Sequence, residues 1–245
     1  MGGRGSWSAG SLGEIDVGDA KELAGNISGG IIGSEETRSD IKRMSDMASL
    51  KDIDGTGDIP TAILGAQMIQ LQNLEKEFGA IKAGDVEMLA APVGHGGTVA
   101  AVAFQPITGK QTLMLNSDYF TNAGQMHADQ LANEHSGWNM PTNGSVKEAA
   151  RYAITHEYGH MLHNELYNKA RANGYTGTRK QFVSQEWLKI QKIANETYGA
   201  KASDLSRYGN ENRREAFAEA FANSQLGKPT KVGLAMRDYL KSLRY

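Results

Sequence analysis

The sequence predicts an α+β protein in which a small sheet is followed by a helical half. Three short segments, 86–90, 98–104 and 111–116, have the composition of strands, and 105–110 that of a hairpin connection. From residue 145 onward, apolar residues recur at helical spacing. The chain contains no internal repeat, so we expect one sheet followed by a run of helices.

Start and stop signals give the helices their expected bounds. Ser145 and Glu148 have the spacing of a capping box, and Asn173-Gly174 is typical of a helix end. The stretch 119–143 is polar and punctuated by Asn, Gly and Pro, which predicts irregular structure. The expected helices are 62–78, 145–172, 178–198, 212–225 and 231–243.

Composition excludes several functional classes. With 245 residues the chain can bury a core without cross-links, and a formal net charge of −2 gives no reason to expect nucleic acid or an anionic membrane as partner. The sequence has no cysteine, which excludes disulfides, thiol catalysis and zinc–thiolate sites. No apolar run is long enough for a membrane span.

The first 60 residues are expected to form a Gly-rich flexible or accessory segment, and 61–245 the main domain. Twelve of the 29 glycines fall in this first segment, where a short helix is predicted only at 34–50. Its N-terminus lacks the apolar run of a signal peptide, so localisation stays open, export by a non-classical route included. The opening Gly2-Gly3-Arg4-Gly5-Ser6 is similar to linkers in phage minor-head and related toxin-bearing proteins.

Asp52, Asp54 and Asp58 lie in a segment that partly matches a calcium-binding loop. With Gly57 at the sixth loop position, oxygen ligands fall at positions one, three and five. The twelfth position is Ile63, where such a loop needs a bidentate Glu. An acidic turn ahead of a helix is therefore favoured over a Ca²⁺ site.

The strongest functional signal is H-E-Y-G-H at residues 156–160, inside a predicted helix. His156 and His160, four residues apart, lie one above the other on a helix face and can converge on one metal ion. Glu157 is rotated by about 100° from His156, so it borders the metal and can take a proton from metal-bound water. The pattern is typical of a zinc peptidase.

A third ligand is expected from the later helix. Glu215 and Glu219 form one i,i+4 pair on it, and Phe217 and Phe221 form another, with alanines between them. Carboxylates beside such an apolar stripe need a partner when buried, and a cation with its ligand histidine supplies one. Helical spacing alone permits either glutamate as the ligand.

The two motifs together resemble the C-terminal catalytic domain of anthrax lethal factor and its relatives, over about 149–222. The resemblance implies a zincin-like fold and a gluzincin centre, with Zn²⁺ on His156, His160 and Glu215. It also implies that Tyr208, seven residues before Glu215, assists catalysis. Glu219 would then accept a hydrogen bond from a ligand histidine.

The remaining histidines fit less well. A metzincin needs a third His where this chain has Leu166, and Asn195-Glu196 lacks the context of the thermolysin-like ligand. His163 is expected either beside the ligands or facing solvent. The other three are expected to be ordinary loop histidines: His95, His127 and His135.

These features predict a zinc-dependent endopeptidase acting on a peptide or protein, with zinc and Tyr208 stabilising the oxyanion. An extended substrate could pair with the sheet edge at 98–104 or 111–116. The first alternative is a phage- or toxin-associated structural protein with a non-catalytic metal site. The second is a metal-free helical module in which the motif is coincidental.

Overall fold

The computed structural model describes residues 61–79, 86–90, 100–104, 111–115, 117–120, 123–201 and 204–243. Within these ranges the elements, in chain order, are α1 (Thr61–Phe78), β1 (Val86–Ala90), β2 (Ala100–Phe104), β3 (Gln111–Leu115), α2 (Ser117–Phe120), α3 (Ala123–His135), α4 (Val146–Ala172), α5 (Arg179–Tyr198), α6 (Arg213–Gln225) and α7 (Lys231–Ser242). Four earlier predictions lie outside these residues: the helix at 34–50, the Ca²⁺ loop at Asp52–Asp58, the hairpin connection at 105–110, and the role of His95. The division at residue 60 also stays a prediction.

The predicted α+β class is wrong, because the described part of the chain is predominantly helical. The three strands are five residues each, whereas α4 and α5 have 27 and 20 residues. Among the side chains that the structure describes, the buried apolar core comes mainly from the helices and their connections and includes Ile154, Phe217 and Phe221, each 0% exposed. Helix-on-helix packing therefore defines the architecture.

The short strands pair in the order β1-β3-β2. β3 lies between the other two, parallel to β1 and antiparallel to β2, with Val102 opposite Leu113. Since β3 is paired on both sides, the segment expected at 111–116 cannot serve as an edge for an added peptide. Among the described strands the edges are β1 and β2.

The long helix α4 begins and ends where its signals predict. The Ser145 hydroxyl oxygen accepts from the Glu148 backbone N–H at 3.2 Å, and Asn173 is the C-cap. A reciprocal capping box is present instead at the start of α5, between Thr178 and Gln181. α4 is the central helix, packed against α1, α3 and α6.

The irregular structure expected at 119–143 is wrong for much of that stretch, which contains α3. Two i,i+4 side-chain pairs stabilise this helix, Gln125 with Asp129 at 2.7 Å and Gln130 with Glu134 at 2.9 Å. Met126 is fully buried beneath it. The polar composition resembled a loop because the helix rests on few apolar residues.

No helix in the described ranges is both long and apolar enough to cross a bilayer.

Candidate metal centre

The two histidines of the motif share one buried face of α4. His156 and His160 are 5% and 4% exposed, and their ring centroids are 4.9 Å apart. Both present Nε2 to the same point, because residues four apart on a helix lie one above the other.

α6 supplies the third group. Its N-cap Asn212 accepts from the backbone N–H of Glu215, which fixes the first turn of the helix. Glu215 Oε2 lies 3.1 Å from Nε2 of His156 and 3.1 Å from Nε2 of His160. Tetrahedral ligands at about 2.0–2.2 Å from a metal are separated by roughly 3.3–3.6 Å, slightly more than this spacing. The buried His156-His160-Glu215 group could therefore bind a metal ion.

Gly159 allows α4 and α6 to approach this closely. A Cβ atom at this position would lie 3.1 Å from Ala218 Cα and 3.2 Å from Phe221 Cβ. These contacts are tighter than ordinary van der Waals spacing and involve a helix backbone. Glycine in the middle of the motif therefore sets the distance between the two helices that carry the ligand atoms.

Glu219, one turn after Glu215, is fully buried and accepts four hydrogen bonds. Its Oε1 accepts from His156 Nδ1 at 2.9 Å and from the Tyr152 hydroxyl. Its Oε2 accepts from the Met140 backbone N–H at 2.9 Å and from the Ser206 hydroxyl at 2.6 Å. Because Nδ1 donates to Glu219, the Nε2 lone pair of a neutral His156 is directed at Glu215.

The ionisation of the group matches cation binding. Burial would raise the pKa of Glu215, but the charges and hydrogen bonds of His160 and His156 hold that pKa far below its usual range. Burial lowers the pKa of His156, yet its hydrogen bonds to Glu215 and Glu219 outweigh burial and raise the pKa to about 10. In the metal-free protein His156 therefore carries a proton, and its positive charge balances the Glu215 carboxylate as a bound metal cation would.

Tyr208 lies beside the group, and Glu157 directly follows His156 in α4 and is 7% exposed. The Tyr208 ring stacks on His156, with centroids 5.6 Å apart, and on Trp138 at 5.8 Å. The Tyr208 backbone N–H donates to the Trp138 carbonyl at 3.0 Å, which ties its loop to the end of α3. Burial, then the charges of Glu215 and Glu157, raise the pKa of Tyr208, so its hydroxyl keeps its proton.

His163 does not face solvent, since it is 2% exposed. Its ring stacks on Phe217 with centroids 4.0 Å apart, and among the described residues neither ring nitrogen has a hydrogen-bond partner. His127 and His135 lie in α3, not in loops as expected, and His127 Nε2 is 2.7 Å from the Gly144 carbonyl oxygen.

Sequence reasoning missed the residues that support the centre from elsewhere in the chain. Tyr152 precedes His156 by one helical turn, so its position on the same face was open to inference. Met140, Ser206 and Trp138 reach the site through loops and carry no signal of their own in the sequence. They were not predictable without the packing.

Comparisons with protein-family models, with curated proteins and with solved structures find no match for this chain.

Proposed function

We propose that this protein is a zinc-dependent endopeptidase of the gluzincin type. The observation that carries the proposal is the convergence of His156, His160 and Glu215 on one point, with Glu157 next to the first ligand. Two imidazole nitrogens and one carboxylate oxygen are a ligand set that suits zinc, and they leave a fourth position open for catalysis. When bound, Zn²⁺ would polarise a peptide carbonyl and acidify water.

The protein groups have separate tasks in this proposal. Glu157 is the general base and later returns the proton to the leaving amine. The neutral Tyr208 hydroxyl donates a hydrogen bond to the developing oxyanion, and the stack on Trp138 fixes its ring. Glu219 holds the orientation and tautomer of His156. An extended peptide would pair with the free side of β2, the edge strand that packs against α4.

The test combines metal content with cleavage of a peptide library by wild type and by Glu157→Gln. We expect one zinc per chain in both proteins, and about a 10²–10⁴-fold loss of cleavage rate in the variant, the usual contribution of a general base. The matched control is Glu165→Gln, on the same helix but paired with Lys169 at 3.8 Å, which should cleave normally.

The possible outcomes distinguish the peptidase from its two alternatives. Normal cleavage by Glu157→Gln would show that the assigned base is wrong. Zinc in both proteins with no cleavage by either would favour the non-catalytic metal site of a phage- or toxin-associated structural protein. A protein that takes up no zinc from metal-replete buffer would be a helical module with a coincidental motif.

A further inference from the structure

A cavity of about 260 Å³ lies between α5, α7 and the connection that leads from α5 to α6. None of the described residues that line it belongs to the metal group. Five of the lining side chains are apolar and buried: Trp187, Ala194, Ala200, Leu205 and Val232. Protein interiors leave few openings larger than a water molecule, so an apolar space of this size is a candidate ligand site.

Hydrogen bonds hold the wall that the connection contributes. The Lys201 backbone N–H donates to Asp204 Oδ2 at 2.9 Å, and the Asp204 backbone N–H donates to the Lys201 carbonyl at 3.0 Å. Asn210 Nδ2 donates to the Leu205 carbonyl at 3.2 Å. The other walls belong to α5 and α7, two helices that pack against each other. The cavity is therefore preformed, and a ligand needs to order little of the chain in order to bind.

The polar part of the lining contains three residues: Gln191, Asn195 and Lys201. Lys201 is exposed and is the only charged residue among the described residues of the lining. Three lysines form ion pairs with a described carboxylate: Lys169, Lys189 and Lys241. Lys201 is not one of them, and the Asp204 carboxylate accepts from its backbone N–H instead. The cavity therefore combines an apolar floor with two amides and an accessible ammonium group.

The C-terminus of α5, which lies beside the cavity, has the opposite polarity. A helix C-terminus carries about half a negative charge, concentrated on its last carbonyl oxygens. In α5 the carbonyl oxygens of Ala194 and Asn195 already accept from the backbone N–H of Ala200 at 2.9 Å and of Gly199 at 3.1 Å. Lys201 adds a full positive charge at the same end of the helix. The lining therefore favours an anionic group over a cationic one.

We propose that this cavity binds a small molecule that has an apolar body and one carboxylate group. Since a cavity of about 150 Å³ accommodates benzene, one of about 260 Å³ has room for roughly ten non-hydrogen atoms. The apolar body covers the buried wall, and the carboxylate lies at the rim, where the Lys201 ammonium and the side-chain amides of Gln191 and Asn195 donate to it. This site is separate from the metal centre and does not depend on the proposed peptidase function.

The first experiment measures by calorimetry the binding of two acids, phenylacetate and octanoate, and of their amides. Each acid has the size of its amide and differs from it in charge. The tighter acid should bind in the millimolar range, as its size implies, and about three- to tenfold more tightly than its amide, because its ion pair is solvent-accessible. The ranking of the two acids shows whether the body is a ring or a chain. Equal binding of acid and amide in both pairs, or no binding of any compound, would overturn the proposal.

Substitutions test whether the compounds bind in this cavity. Lys201→Gln should remove the preference for the acid and keep the binding of the amide, whereas Lys201→Arg should retain the preference. The matched control is Lys192→Gln, an exposed position of α5 outside the lining. Ala194→Leu should fill the cavity and weaken the binding of acid and amide at least about tenfold. A preference that survives Lys201→Gln would overturn the proposal, and this exposed substitution decides even if Ala194→Leu disturbs folding.

The metal centre needs a control of its own, because a carboxylate also binds zinc directly. The titrations are therefore run on zinc-free and on zinc-loaded protein, and the preference for the acid should appear in both. Trp187 gives a second readout, because it lines the cavity: the acid should change the tryptophan emission of wild type, and Trp187→Phe should lose this change. Binding found only in zinc-loaded protein would assign the carboxylate to the metal and overturn the proposal, as would an emission change that survives in Trp187→Phe.

Discussion

Glu215 and Glu219 are one helical turn apart on α6, yet their surroundings differ. The Glu215 side chain is 15% exposed, and its Oε2 faces two imidazole nitrogens at 3.1 Å. The Glu219 side chain is 0% exposed and accepts hydrogen bonds from four protein groups. Both carboxylates contact His156, Glu215 at Nε2 and Glu219 at Nδ1.

The difference shows what separates a ligand from its support. A carboxylate whose acceptor sites are filled by protein donors has little capacity left for a metal, whereas Glu215 Oε2 faces the two imidazole nitrogens that would themselves bind the metal. The saturated carboxylate instead orients the histidine and sets which ring nitrogen carries the proton. Residue type and spacing are the same for both, so the division of roles lies in the donors that other elements bring.

The largest effect on zinc affinity should follow from removing the Glu215 carboxylate. Glu215→Gln should weaken zinc binding by more than the roughly 10–100-fold expected for the loss of a supporting group, because it removes a ligand atom. Glu219→Gln should fall within that 10–100-fold range. Zinc affinity is measured by competition with a chromogenic chelator, at fixed pH because protons compete for the histidines. The reverse ranking would exchange the two roles.

In the metal-free protein we expect the opposite order for stability, with Glu219→Gln causing the larger loss of unfolding free energy. Glu219→Gln sets an amide N–H₂ against donors that need an acceptor, and we expect it to lower the free energy of unfolding by about 3 kcal/mol. Glu215→Gln should cost about 1 kcal/mol, because its carboxylate is partly exposed and water can replace part of the hydrogen bonding that is lost. Urea unfolding with a chelator present measures both. Equal losses would mean that the Glu219 network contributes little to folding.

The parts of the site that lie on one helix were predictable, because the helical period alone determines them. The start of α4 at Ser145 and the shared face of His156 and His160 follow from spacing and capping. The position of α6, and the presence of an i,i+4 pair of glutamates on it, could also be read from the sequence.

The parts that depend on packing between elements were not predictable. Nothing local to Glu219 shows that Met140 and Ser206 will donate to it. The fold class was wrong for a related reason. Three short apolar segments suggested a sheet-based half, but the core of the described side chains is formed mainly by helices. One of them is α3, whose polar sequence resembled a loop.

The smallest predicted effect concerns the spacing that brings both glutamates to His156. Gly159→Ala should destabilise the metal-free protein by about 1 kcal/mol, because the new methyl group meets the α6 backbone at 3.1 Å and overpacking outweighs the gain in helix propensity. Gly65→Ala is the matched control, since a Cβ there meets nothing within 4 Å, and it should stabilise α1 by up to about 1 kcal/mol. Urea midpoints and zinc affinity are measured for both. If Gly159→Ala stabilised the protein as much as Gly65→Ala and left zinc affinity unchanged, the approach of α4 to α6 would not limit the site, and the geometry at His156 would depend on the Glu219 network alone.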